Sequence, residues 1–255
     1  MTLLLGDRTA TELPLPLVRW LEVAWPDGID PIDTLTLSGP VRMRRGHLRL
    51  RGDTTMRVDL GHGYVNDIRI GLGPVTAMRG LDALVDGIGI TVIGHEASTG
   101  YEIDQGSFLA LWCQSLLFPT SWNRLPGLRW TAVRDDEVIV GLPFHGGIET
   151  VTLRFDPGRS AFPVAFEAER YREVGRPKVG WRAEYGEWHW RDGLVMPTRL
   201  RVQWADESQP WFDMQVETAV PNEDLAEHCD RARLAIHDAL ADRHATPARP
   251  LRPAR

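Results

Sequence analysis

Two short runs of the sequence combine aromatic, acidic, amide and imidazole side chains that could do chemistry. The first is Gly-His-Gly-Tyr-Val-Asn-Asp at residues 61–67. On a strand, Tyr64 and Asn66 lie on the same face because side chains alternate with a period of two residues. A tyrosine hydroxyl beside an amide could bind a carbonyl oxygen or protonate an enolate, so both are candidate catalytic residues. A polar strand edge beside a glycine turn is the structural alternative.

The second run is Glu-Tyr-Gly-Glu-Trp-His-Trp at residues 184–190. On a strand, Tyr185, Glu187 and His189 share one face, and Trp188 lies on the other. Histidine titrates near neutral pH and a carboxylate can orient it, so Glu187 and His189 are candidate catalytic residues. Trp188 is a candidate ligand-binding residue. A solvent-exposed sheet surface has the same composition, and the sequence leaves both interpretations open.

Three further candidate ligand-binding residues stand in apolar surroundings. Asp82 interrupts an apolar run, and a buried carboxylate needs a partner or its pKa rises. We expect a structural pair with an arginine ahead of a chemical role for Asp82. Trp112 and Gln114 lie in the apolar segment 108–118. Gln114 must find a hydrogen-bond partner there, either a ligand or a backbone carbonyl of the sheet.

Composition and motifs exclude several classes of function. The chain has 29 Lys+Arg against 35 Asp+Glu and a formal net charge of -6, which argues against a nucleic-acid surface. Gly87-Ile88-Gly89 lacks the third glycine and the helix of a dinucleotide loop. No zinc, EF-hand or nucleophile-elbow motif occurs, so we expect neither a cofactor nor a metal site.

The two cysteines and the apolar segments indicate in which cellular compartment the protein is found. Cys113 and Cys229 are far apart in the sequence, and we expect free thiols rather than a disulfide. We find no signal-peptide pattern and no apolar run long enough to cross a bilayer. The sequence therefore predicts a cytoplasmic protein without a membrane span, and it does not indicate the oligomeric state.

Apolar periodicity predicts three helices. A period of about 3.6 residues places them at residues 14–25, 104–118 and 222–240. Asp104 or Ser107 is the predicted N-cap of the second helix, and Asn222 is that of the third. The second helix is apolar nearly all round, so we expect it to be buried on most sides.

Between these helices, apolar and polar residues alternate over about ten segments, which predicts half-buried strands. Glycine-containing turns are predicted at residues 38–40, 45–47 and 86–87. Short connections favour antiparallel neighbours. A long twisted sheet must then curl or close to cover its apolar face.

The predicted fold is therefore mainly β with a few helices (α+β). A curved antiparallel sheet or half-barrel clasps the buried helix near residues 108–118. Residues 1–243 are predicted to form this single domain. Residues 244–255, rich in Pro, Ala and Arg, are predicted to be a disordered tail.

A series of motifs runs in order through most of the chain. It begins with Leu-Pro-Leu-Pro-Leu-Val-Arg-Trp-Leu from residue 13, continues with Tyr64-Val65, Leu81-Asp82 and Val85-Asp-Gly-Ile-Gly, and includes residues 105–119, Trp130, Phe155-Asp156, Trp181, Tyr185, Gly193, Pro197 and Trp204. The series resembles a bacterial family of unknown function. That family is similar in shape to the lipoprotein-carrier (LolA-like) half-barrels, which implies a curved sheet around helices and an apolar cavity. In the family an acidic residue stands near the place of Gln114 and a tryptophan near Asn66, which implies a re-lined cavity here.

Two functions follow from this shape. In the first, the chain binds a small hydrophobic or aromatic molecule in an apolar half-barrel cavity with a few polar groups. In the second, a cofactor-independent biosynthetic enzyme uses the same cavity to cyclise or rearrange an intermediate. The sequence leaves open whether any reaction is catalysed. A small hydrophobic molecule is the expected partner in both cases.

Overall fold

A computed structural model describes most of the chain. The described residues are 4–5, 8–9, 13–28, 30–72, 75–124, 127–158, 161–191 and 193–245. Of the predicted tail, residues 246–255 lie outside this part of the chain.

The secondary structure within the described residues is dominated by strands. The helices are α1 (Leu15–Ala24), α2 (Tyr101–Ser115) and α3 (Ala226–Ala245), and a short 3-10 helix, Pro119–Arg124, follows α2. The strands are β1 (Leu4–Leu5), β2 (Arg8–Thr9), β3 (Thr34–Arg45), β4 (Leu48–Asp59), β5 (Gly63–Leu72), β6 (Val75–Val85), β7 (Ile88–Ile93), β8 (Glu96–Thr99), β9 (Arg129–Arg134), β10 (Glu137–Phe144), β11 (Gly147–Phe155), β12 (Pro163–Tyr171), β13 (Lys178–Arg191), β14 (Leu194–Trp204), β15 (Phe212–Gln215) and β16 (Thr218–Pro221).

One 14-stranded antiparallel sheet forms the body of the molecule. Its strand order is β8-β7-β6-β5-β4-β3-β15-β14-β13-β12-β11-β10-β9, and β16 pairs with β3 beyond the end of β15. The sheet is curved, is not closed into a barrel, and has a helix packed against it. The predicted fold class is therefore confirmed. Most neighbours in the sheet are also neighbours in sequence, because short turns join them as antiparallel pairs.

Cross-strand register sorts the side chains onto two faces, each of which has its own hydrophobic core. Val58, Tyr64 and Leu84 stand side by side on the inner face, which packs against α1 and α2. Val65 and Ala83 stand on the outer face, in the core that α3 covers. Several strands of the sheet are thus buried on both sides.

Two predicted helix starts are wrong, and both differences have a local cause. Helix α2 begins at Tyr101 after Gly100, with no side-chain cap. Asp104 lies inside the helix, where its carboxylate accepts a hydrogen bond from the Gly89 amide at 2.7 Å. Helix α3 begins at Ala226, because Asn222 is in the left-handed region (φ 59) and its side chain accepts a hydrogen bond from the Asp33 amide at 2.8 Å.

The predicted turn at residues 38–40 is also wrong, since Gly39 and Pro40 lie inside β3. They stand opposite an irregularity in the partner chain. Met214 of β15 pairs with Val41, and Thr218 of β16 pairs with Ser38, so three residues (215–217) face two. This is a β-bulge, where proline and glycine are common within sheets. The predicted turns at 45–47 and 86–87 are present as hairpins.

Candidate functional site

The structure divides the predicted site residues into two groups. Tyr64, Asn66 and Asp82 lie on the inner face of β5 and β6, and Trp112 and Gln114 lie on α2 above the same face. Glu187, Trp188 and His189 lie at the far end of β13. The two groups therefore form two separate candidate sites in the molecule.

The first candidate site is a set of hydrogen bonds around one carboxylate, which we call the Asp82 cluster (Tyr64, Asp82, Thr91 and Ser107). The Tyr64 hydroxyl donates to Oδ2 of Asp82. The Thr91 and Ser107 hydroxyls donate to Oδ1 at 3.0 and 3.3 Å. The partner of Asp82 is therefore a tyrosine with two hydroxyl-bearing side chains, and the expectation of an arginine partner is wrong.

Burial decides the protonation of the tyrosine in this cluster. Burial raises the pKa of Tyr64 well above its usual value, and the charge of Asp82 and the hydrogen bond to it raise the pKa further. Tyr64 is 2% exposed and Asn66 is 6% exposed. The side-chain oxygen of Asn66 accepts a hydrogen bond from Thr54 at 2.6 Å. Both predicted catalytic side chains are thus engaged by protein partners beneath α2.

The two predicted residues of α2, Trp112 and Gln114, have different surroundings. Trp112 lies in an aromatic group with Phe108, at 6.3 Å between ring centroids, and Phe108 lies 4.7 Å from Phe144 of β10. Gln114 donates to the carbonyl of Ala110 in its own helix at 3.1 Å, so its partner is not in the sheet. Among the described residues, neither Trp112 Nε1 nor Gln114 Oε1 has a hydrogen-bond partner, although both atoms are buried.

The second candidate site lies where the sheet divides into two branches. Strand β15 pairs with both β14 and β3, but β16 continues on β3 alone. The division occurs at the bulge, where the Val216 amide donates to Thr198 in β14 at 2.8 Å and the next amide, Glu217, donates to Ser38 in β3 at 2.9 Å. The first residues of β14 and the strand β16 therefore stand apart as the two arms of a fork.

A cavity of about 230 Å³ fills this fork, and we call it the fork cavity. Half of its lining residues are apolar, and they supply most of its surface. The lining residues are His189, Arg191, Met196, Pro197, Thr198, Val216, Glu217, Thr218, Ala219 and Val220. Met196 and Val216 are buried members of the main core, so the cavity reaches from the surface to that core.

The predicted group on β13 lies at this cavity. His189 lines it, and Glu187 accepts a hydrogen bond from Thr198, another lining residue, at 3.4 Å. Trp188 turns away, stacks on Phe162 at 5.3 Å between ring centroids, and donates to the backbone carbonyl of Pro163. The structure thus brings Glu187 and His189 to the rim of a cavity and separates Trp188 from it.

Glu187 also breaks the strand periodicity that the sequence prediction used. Its φ is 53°, in the left-handed region that few residues other than glycine adopt. Beyond it the side chains change sides, so Trp188 packs 5.9 Å from the ring of Tyr185. Strict alternation predicts that these two aromatic rings lie on opposite faces, and that prediction is wrong.

The described residues offer few groups for other kinds of site. No cluster of three or more His, Cys, Asp or Glu side chains that could hold a metal ion occurs among them. Cys113 and Cys229 are free and buried, as expected. None of the helices in the described ranges is long and apolar enough to cross a membrane.

The fold and the fork cavity define a curved-sheet protein with a helix on its inner face and an opening between two strands. Residues 5–214 match DUF6544, a family of unknown function. The chain belongs to that family, which confirms the predicted membership of a family without an assigned activity.

Several solved structures are similar to this chain. One is a LolA superfamily protein from Nitrosomonas europaea, at 13% identity and a TM-score of 0.48, covering 82% of this chain and 94% of that one. Another is a DUF1329 family protein from Desulfovibrio piger, at 13% identity and a TM-score of 0.44, covering 84% and 92%. A third, described as an outer membrane lipoprotein-sorting protein domain from Vibrio parahaemolyticus, has 7% identity and a TM-score of 0.41, covering 86% and 98%. The comparison with curated proteins gave no match.

Proposed function

We propose that the chain binds a small hydrophobic or aromatic molecule in the fork cavity. The observation that carries this proposal is the cavity itself, which has a volume of about 230 Å³ between two strands that do not pair. Ligand pockets are mostly apolar and have a few polar groups that orient the ligand. They usually measure roughly 300–1,000 Å³, so a ligand for this cavity is small.

The lining indicates how such a molecule would be oriented. Met196, Val216 and Ala219 supply apolar surface for a ring or a short chain. The imidazole of His189 is exposed at the cavity and is a donor or acceptor for one polar group of the ligand. A hydroxyl or carbonyl on an aromatic ring fits this combination.

The probe we suggest is 2-naphthol, because it pairs an aromatic body with one hydroxyl group. Ala219→Phe fills the cavity from β16, and Ala97→Phe adds the same ring at an exposed position of β8. We expect Ala219→Phe to weaken binding at least tenfold in a ligand-observed NMR titration, and Ala97→Phe to leave it unchanged. Equal dissociation constants for wild type and Ala219→Phe would show that the fork cavity is not the binding site.

The same titration separates binding from catalysis. A binding protein releases its ligand unchanged, so mass spectrometry after prolonged incubation should recover only 2-naphthol. A converted product would favour the enzyme hypothesis and would require rate measurements on Glu187 and His189 variants.

A further inference from the structure

One arginine on the inner face of the sheet, Arg170, does not line the fork cavity. Phe166, Ala168 and Arg170 follow one another with a period of two on β12, and the first two pack in or against the main core. The guanidinium carbon of Arg170 lies 4.9 Å from the ring centroid of Trp181 and 5.9 Å from that of Trp204. Two indole rings thus hold a half-buried cation on the apolar side of the sheet.

Helix α2 leaves room for this side chain. Gln105 fixes the helix over β12, since its amide donates to the Glu169 carbonyl at 2.8 Å and accepts from the Tyr171 amide at 3.2 Å. At the next residue, Gly106, a Cβ atom would lie 2.9 Å from Nε of Arg170. Glycine inside a helix costs about 1 kcal/mol relative to alanine, and here it lets α2 pack directly against the Arg170 side chain.

Arg170 has no acidic partner in the described part of the chain. No carboxylate there lies within 4.0 Å of it, and its Nε is buried without a hydrogen-bond acceptor. Arg172, just beyond the end of β12, also has a buried Nε without an acceptor, but its other nitrogens pair with Asp206 and Glu207. The chain has 35 Asp+Glu for 29 Lys+Arg, so a shortage of carboxylates does not explain the difference.

Two polar groups on the inner face are a donor without a partner and a carboxylate that already has donors. Trp181 Nε1, beside the guanidinium, is buried and has no acceptor among the described residues. The carboxylate of Asp82 already accepts from Tyr64, Thr91 and Ser107. Burying a cation without a partner is costly, and an arginine in such a place is usually paired.

We infer that Arg170 anchors an anion-binding site on the inner face, which takes the carboxylate or phosphate group of a small molecule. The planar guanidinium presents parallel N–H groups that match both kinds of anion. Stacking on Trp181 and Trp204 fixes its plane, and Trp181 Nε1 is the second donor. The site is separate from the fork cavity, since Trp181 and His189 are eight residues apart on β13, about 26 Å along the strand.

The test compares three probes by isothermal titration calorimetry at low ionic strength. Benzoate carries a carboxylate, benzamide is its neutral analogue, and inorganic phosphate tests the other anion. We expect at least one anion to bind the wild type and benzamide to bind at least tenfold more weakly than benzoate. The anion that binds identifies the ligand group, and binding of neither anion would refute the site.

Variants then assign the binding to Arg170. Arg170→Met keeps the side-chain length without the charge, and we expect at least a tenfold loss of anion affinity. Arg182→Met is the matched control, expected within twofold of wild type because its charge is already paired with Glu167 and Glu184. Unchanged affinity in Arg170→Met overturns the inference. If that variant does not fold, Arg170→Lys is measured in its place. It keeps the charge but loses the planar pair of donors, so we expect weaker anion binding. An affinity equal to that of the wild type would count against the site.

Discussion

At the residue scale, Asp82 shows how a carboxylate is accommodated on an apolar sheet face. Tyr64 stands opposite Leu84 on β6, so Asp82 is its diagonal neighbour. Diagonal neighbours lie within reach of long aromatic side chains. The hydroxyl groups of Thr91 and Ser107 also donate hydrogen bonds to Asp82. The hydroxyl groups of the cluster thus supply the hydrogen-bond donors of this carboxylate in place of an arginine.

We expect Tyr64→Phe to lower the free energy of unfolding by about 1–3 kcal/mol, because a charged acceptor loses its donor in a buried place. The matched control is Tyr185→Phe, whose hydroxyl is equally buried but donates to the neutral backbone carbonyl of Cys113. Loss of a neutral hydrogen bond should cost about 0.5–1.5 kcal/mol. Urea denaturation measures both. A smaller loss for Tyr64→Phe than for Tyr185→Phe would contradict the role of Asp82 as a charged acceptor.

The inner-face residues were predictable from the sequence to different extents. Period-two alternation places Tyr64 and Asn66 correctly, and the same rule on Phe166 and Ala168 would have found Arg170. Alternation fails at Glu187, because its positive φ depends on tertiary contacts and has no local sequence signal. The sequence identified His189 by residue type, while the strands that form its cavity come from distant parts of the chain.

At the element scale, the bulge between β15 and β16 creates the fork. The sequence shows only Ser-Gly-Pro at residues 38–40, which is typical of turns as well as of bulges. Choosing between them requires the partner strand, which lies more than 170 residues away in sequence and is longer by one residue at this point. Hairpin turns such as 86–87 were predictable because both of their strands are local.

Gly39 gives a test of the bulge. A Cβ atom at this position would lie 2.0 Å from the backbone oxygen of Gln215, whereas one at Gly80 of β6 would meet its nearest atom at 3.5 Å. We expect Gly39→Ala to destabilise the protein by about 1–3 kcal/mol through overpacking and to weaken 2-naphthol binding by moving the arms of the fork. Gly80→Ala is the control and should leave both unchanged. Thermal unfolding and the NMR titration measure the two effects, and wild-type behaviour of Gly39→Ala would disprove the close approach.

At the scale of the whole molecule, the sheet separates two cores of unequal size. The inner core joins α1, α2 and strands from both halves of the sheet. The outer core is small, and α3 supplies Cys229, Ala232 and Ile236 to it, with Leu225 just before the helix. Ion pairs from Arg231 to Asp67 and from Arg233 to Asp86 hold the helix at its place, at 2.7 and 2.6 Å. The family match ends at residue 214, so this covering helix lies outside the matched residues.

Separate cores predict that α3 can be released while the rest of the fold persists. Ala232 is 0% exposed, so Ala232→Glu places a carboxylate in the outer core, where burial of a charge is costly. We expect hydrogen exchange to show loss of protection throughout α3, with β13 and β14 still protected and 2-naphthol binding retained. Leu234→Glu, on the same helix but 67% exposed, is the control and should keep α3 protected. Simultaneous loss of protection in α3, β13 and β14 would mean that the two cores unfold as one cooperative unit, and the fork cavity would then depend on α3 as well.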